Sequence, residues 1–270
     1  MHSRLSLALF VAASFAFVAT SAVQAQTVVR FETTAGAFDM VLNPTNDARL
    51  QEHTDNMLQN VEAQIYRGSW INRAPEGFVL QMGGFFSHTW RPVHTIDSTS
   101  SVASFDPITG VPASTMGLSN TIGTVSLALS GNNPNSGSGS FFINLGSNAN
   151  LDSQFTVFAA IPDMTIIDKI MSFDQVDIRD ELGTGPDNPH FQDIPVDENN
   201  KQVIIHRTFV VTDSLLIANA IAGANNLMAN SQGGAASQSL PLSGGAVPEP
   251  GTAFLLLVGT AALATRRPRR

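Results

Sequence analysis

The sequence predicts a mainly β domain with two helices, and three observations carry that reading. Residues 28–32 and 37–42 are β-branched and aromatic runs joined by Thr33-Thr34-Ala35-Gly36, the pattern of a hairpin. Residues 66–85, YRGSWINRAPEGFVLQMGGF, read as strand, turn, strand, with Pro75 and Gly77 at the turn and Gln81 on the return strand. Two stretches, 54–64 and 164–173, space their apolar residues at the helical period instead.

Composition sets the bounds. The chain has 270 residues, of which 43% are hydrophobic, ample for a packed core. Residues 27–216 hold 9 Lys/Arg against 21 Asp/Glu, a net charge of −12. Such an acidic domain repels nucleic acid and anionic lipid. There is no cysteine, which excludes disulfides and thiolate metal sites.

In order along the chain, Arg4, the apolar run 5–20 and Ser21-Ala22-Val23-Gln24-Ala25 read as a secretory signal peptide over 1–25, cleaved after Ala25. The first hairpin follows. Thr54 or Asp55 is the expected N-cap of a helix running through Gln64, with Met57, Leu58, Val61 and Ile65 as its apolar stripe. The second hairpin carries one arginine, Arg73, between apolar strands. A guanidinium stays charged, so there it needs acceptors, and Gln81 is a candidate partner across the hairpin. A solvated arginine on a surface hairpin fits the spacing equally well.

Residues 86–120 read as long loops with room for one short strand. His88 and His94 lack a third ligand at matching spacing, so no metal is expected. Thr124-Val125-Ser126-Leu127-Ala128 alternates as a strand. Residues 130–140, SGNNPNSGSGS, lie between that strand and Phe141-Phe142-Ile143-Asn144, a position that favours an ordered loop over a linker. Ile167, Ile170 and Met171 face one side of the second helix, and Asp168 and Lys169 are expected to be solvated on the other. Residues 174–200 form an insertion rich in acid, Gly and Pro before a last strand, 203–211.

These motifs together resemble the cyclophilin-type peptidyl-prolyl isomerases. Tyr66, Gly68, Arg73, Gly77, Phe78, Gln81, Gly83 and Phe85 match the family signature. Ser126, Ala128, Pro134, Asn135, Ser136, Phe141, Phe142 and Ile143 match a second motif, and Leu151, Asp152, Phe155, Val157 and Phe158 a third. Phe191-Gln192-Asp193-Ile194-Pro195-Val196 is similar to a segment of bacterial secreted members. Five positions depart: Ile71 for Phe, Asn72 for the substrate-side His, Ser140 for Gln, Asn150 for an aromatic ring that helps bind cyclosporin, and Ala159 for Gly.

The resemblance implies a closed antiparallel β-barrel of about eight strands capped by two α-helices, in one domain over 26–216. It also implies Arg73, Gln81 and Phe78 as catalytic residues. Phe142, Leu151, Phe155, Val79, Ala128 and Asn72 become the substrate-binding residues, with proline-containing polypeptides as partners and no cofactor. The aromatic residues also fit plain core packing. The chemistry matches such a site. A peptide bond has a rotational barrier of about 18–20 kcal/mol because the nitrogen lone pair is delocalised. An apolar slot gripping the proline ring, with a donor at its nitrogen, localises that lone pair in the twisted state. A charged hydrogen bond there contributes about 1.5–3 kcal/mol, roughly ten- to a hundred-fold in rate. A secreted module that binds proline segments without turnover, or a matrix component, remains the alternative.

After Leu216 the composition turns to Ala, Gly, Asn, Ser and Gln, read as a flexible linker over 217–246. Residues 247–270 hold Pro248-Glu249-Pro250, an apolar stretch at 253–264 and a terminal arginine cluster. They resemble a PEP-CTERM sorting signal, which implies transient anchoring in the inner membrane and an exosortase-type peptidase as partner. The expected address is the periplasm, cell envelope or exterior of a Gram-negative-type bacterium, and the expected state is a monomer.

Overall fold

The computed structural model describes residues 26–86, 94–95, 118–129, 133–134 and 136–233. Alternation builds a single antiparallel sheet of nine strands: β1 (Val28–Thr33), β2 (Gly36–Leu42), β3 (Ser69–Arg73), β4 (Val79–Phe86), β5 (His94–Thr95), β6 (Thr124–Leu127), β7 (Phe141–Asn144), β8 (Val157–Ala160) and β11 (Ile205–Val210). Eight of them follow the order β11-β1-β2-β8-β6-β7-β4-β3, and β5 pairs with β4. The sheet curls until its edges nearly meet, where Trp70 bridges Ile204 and Gly68 N donates to Ile205 O at 2.8 Å. The result is a nearly closed barrel. Phe31, Met40, Leu80, Phe141 and Phe158 fill its interior from alternate positions of their strands.

Helix α1 (Gln51–Glu62) lays Met57 and Val61 on this core, as the stripe predicts. Its start differs. A 3-10 turn, Ala48–Leu50, precedes it, and the Asp47 side chain accepts from Arg49 N. Thr54 is therefore an interior, buried residue whose hydroxyl donates to Leu50 O at 3.2 Å. Helix α2 (Thr165–Met171) buries Ile167 and Ile170. Lys169 is exposed, as expected, and its Nζ also donates to Ala35 O at 2.7 Å, tying α2 to the β1–β2 turn.

Two stretches gain structure their composition does not suggest. The insertion at 174–200 forms a two-stranded sheet, β9 (Asp174–Val176) with β10 (Ile194–Val196), around the short α3 (Arg179–Leu182). Ile178, Phe191 and Ile194 join Trp70 of β3 in a second small core. The expected flexible linker from residue 217 is corrected over its first half. Helix α4 (Ser214–Gly233) continues the domain beyond Leu216, with Ala220, Ala224 and Met228 buried on the barrel. Small side chains let it lie close: a Cβ on Gly223 would come within 2.8 Å of Pro162 Cβ. The expected signal peptide, the rest of the linker, the sorting segment and His88 lie outside the described residues.

Candidate functional site

One extra residue decides where Arg73 points. β3 and β4 pair as Ile71↔Met82 and then Arg73↔Gln81, so Asn72 is a bulge opposite a single step of β4. Ile71 and Met82 belong to the barrel core. Strict alternation would turn Arg73 inward beside Ile71. The bulge turns it outward instead, onto the face it shares with Gln81.

There Arg73 is 9% exposed, with its Cζ 5.6 Å from the centroid of the Phe78 ring. Burial pulls the guanidinium pKa down, and the field of Asp193 opposes the shift. A guanidinium nonetheless remains charged. Gln81 Nε2 donates to Ser140 Oγ at 3.3 Å.

An apolar cluster separate from the barrel core lies on the same face. Val79, Leu129, Phe142 and Phe155 are buried in it, with Phe78, Ala128 and Leu151 packed against them. Phe142 and Phe155 meet edge to face at 5.3 Å. The structure thus brings together six of the residues singled out in the sequence. Leu129 is an addition; it follows the alternating run of β6 directly.

A buried polar chain supports the walls. Phe78 O accepts from Asn148 Nδ2 at 2.8 Å, and Asn148 Nδ2 also reaches Asn144 Oδ1 at 2.9 Å. Asn144 Nδ2 and Ser126 Oγ both donate to Asn120 Oδ1. Asn120 Nδ2 in turn donates to Asp152 Oδ1 at 2.9 Å, beside Leu151. Two walls of the cluster are thereby linked by satisfied buried groups, an arrangement that rigidifies.

Asn72 is the exception among the expected site residues. It is fully buried, and its Nδ2 lies 3.1 Å from His190 Nδ1. The Asn72 amide, expected at the substrate side, is thus placed against His190 of the insertion. Burial, reinforced by the charge of Arg73, pushes the His190 pKa down to about 4, so the ring is neutral at pH 7. Asp193 lies in the segment 191–196 that resembles bacterial secreted members, whereas His190 does not stand out in the sequence, since a lone His in an acidic loop carries no spacing signal.

The sequence model described as "Cyclophilin type peptidyl-prolyl cis-trans isomerase/CLD" matches residues 28–197. No curated protein matches the chain in sequence. Among solved structures, the chain is similar to a cyclophilin type peptidyl-prolyl cis-trans isomerase of Cryptosporidium parvum, at 19% identity, covering 70% of this chain and 99% of that one, with a TM-score of 0.44. A crystal structure of that isomerase in the presence of the dipeptide Ala-Pro matches at 18% identity and a TM-score of 0.44, covering 69% and 99%.

Proposed function

Since the chain belongs to the cyclophilin-type peptidyl-prolyl cis-trans isomerase family, we propose that it isomerises prolyl bonds of exported polypeptides, with Arg73 donating to the prolyl nitrogen. The observation that carries this reading is the bulge at Asn72, which turns Arg73 onto the face of the Phe142 cluster. A proline ring seated against Val79, Phe142, Leu129 and Phe155 leaves its amide nitrogen towards Arg73. The guanidinium, over the Phe78 ring and short of water, donates most strongly to a nitrogen whose lone pair has localised by twisting. It stabilises the twisted amide more than the planar one. No nucleophile or cofactor enters this step.

The test is a protease-coupled prolyl isomerisation assay on residues 26–233 with an Ala-Pro peptide, comparing wild type with Arg73→Ala. Loss of turnover in the variant supports the mechanism, and full activity in it overturns the mechanism. A wild type that binds the peptide without turnover belongs to the binding-module alternative.

The address belongs to the same proposal. The cleavable pattern ending at Ala25 exports the chain, and 253–264 halts it until a peptidase acts near Pro248-Glu249-Pro250. Among the described residues no helix is long and apolar enough to cross a membrane, and 253–264 lies outside them. A tag placed after Arg270 is expected to vanish from the mature protein while one near Gln238 persists. An intact C-terminal tag on the exported protein defeats this part.

A further inference from the structure

The barrel has a seam, and the arginine strand lies along it. β3 ends the path of paired strands, and its outer edge meets the β11 side through the Trp70↔Ile204 bridge and the Gly68 bond. Past Trp70 that edge is covered by the insertion. Phe191 N donates to Asn72 O at 2.9 Å, Ala74 N donates to Asp193 O at 3.0 Å, and Gln175 Nε2 donates to Ala74 O at 2.9 Å. His190 Nδ1 meets the Asn72 amide. These contacts fall on the bulge and on the residue after Arg73.

The segment is held in an uncommon shape to make them. Phe191 and Asp193 have φ of 68° and 52°, left-handed values that a bulky Phe rarely adopts. Packing fixes them: Phe191 lies edge-on to Phe85 at 4.9 Å and tilted on Trp70 at 6.0 Å, and Phe85 also meets the His190 ring at 5.4 Å. Strain of this kind persists only where surrounding contacts over-determine it.

We infer that residues 190–193 are the positioning element of the isomerase site: they pin the Asn72 bulge and so fix the direction of Arg73. A bulge leaves its extra residue without ladder partners, and an unpinned one can slide along its strand. Sliding by one position returns Arg73 to the inward face. His190, with its Nδ1 accepting from the Asn72 amide, is the pin on the side chain. Phe191 N is the pin on the backbone.

This inference rests on the isomerase reading, and its test separates the two. His190→Ala is expected to lower kcat by about five-fold, the effect of one hydrogen bond, with KM for an Ala-Pro peptide unchanged. His190→Asn places an acceptor where Nδ1 was and is expected to restore kcat. In an Arg73→Ala background His190→Ala is expected to add nothing, since the two act as one unit. Equal losses in both backgrounds, or a rise in KM alone, overturn the assignment. Should His190→Ala fail to fold, His190→Asn with near-wild-type kcat beside a folded His190→Leu with kcat about five-fold lower decides in its favour, and a wild-type-like His190→Leu decides against. Should wild type show no turnover, the isomerase reading falls by itself. The positioning claim is then read from the Arg73 Nε–Hε NMR signal, expected to shift and broaden in His190→Ala; an unchanged signal overturns it.

Discussion

The guanidinium carbon of Arg73 lies over the ring of Phe78, 5.6 Å from its centroid; Arg73 ends β3, and Phe78 closes the turn that leads into β4. A flat cation over a ring needs both shape and charge. Arg73→Lys keeps the charge but loses the planar fork and its stacking. It is expected to retain the far-UV circular dichroism of wild type and to lose about ten-fold in kcat/KM, roughly one charged hydrogen bond. Full activity in Arg73→Lys refutes a role for the fork.

Phe142 is buried and edge-on to Phe155, while Phe78 is only partly buried on the same cluster. Phe142→Ala is expected to cost about 3–5 kcal/mol in urea denaturation, the usual range for removing a buried ring. Phe78→Leu is expected to leave the denaturation midpoint near wild type and weaken Ala-Pro peptide binding by calorimetry. Unchanged affinity in both variants places the slot elsewhere.

His53 of α1 is buried against Phe158, ring centroids 6.0 Å apart, with neither ring nitrogen hydrogen-bonded among the described residues. Burial lowers its pKa from 6.5 to about 4. The folded state therefore holds the neutral ring, and its contribution is complete above pH 6.5 and lost as pH falls through about 4. At about 1.4 kcal/mol per unit the loss reaches about 3 kcal/mol. Melting temperature is expected to fall across that window, less steeply in His53→Leu. Equal slopes for the two proteins contradict the assignment.

Helix α4 buries Ala220, Ala224 and Met228 on the barrel. Ending the chain at Leu216 is expected to lower the melting temperature by several degrees, and Met228→Ala to cost about 2–5 kcal/mol. An unchanged melting temperature on truncation restores the tether reading for 217–233.

Much of the site was legible because its residues recur at fixed spacing within single strands. Arg73, Phe78 and Gln81 share one hairpin, and Phe142 follows a turn-rich loop into β7. The barrel's hairpins show for the same local reason. Asn72 as a bulge was not legible, because a bulge exists only in the register between two strands. The Trp70, Phe191 and Ile194 core unites residues more than a hundred positions apart, and nothing in the acid, Gly and Pro composition of 174–200 announces it. Helix α4 did leave a signal. Ile217, Ala220, Ile221, Ala224, Leu227 and Met228 keep a helical period that the many small residues around them obscure.

The pin between Asn72 and His190 spans 118 positions of chain, which makes the order of assembly a constraint on this protein. Contacts so distant in sequence carry a large loop-closure entropy and form late. A chain emerging N-terminus first exposes Arg73 well before it exposes Phe191. Until then β3 presents a bare outer edge, open to pairing with other extended segments. Strand β3 is thus finished by nearly the last part of the barrel to arrive, and a chain halted short of residue 193 lacks the contacts that complete it.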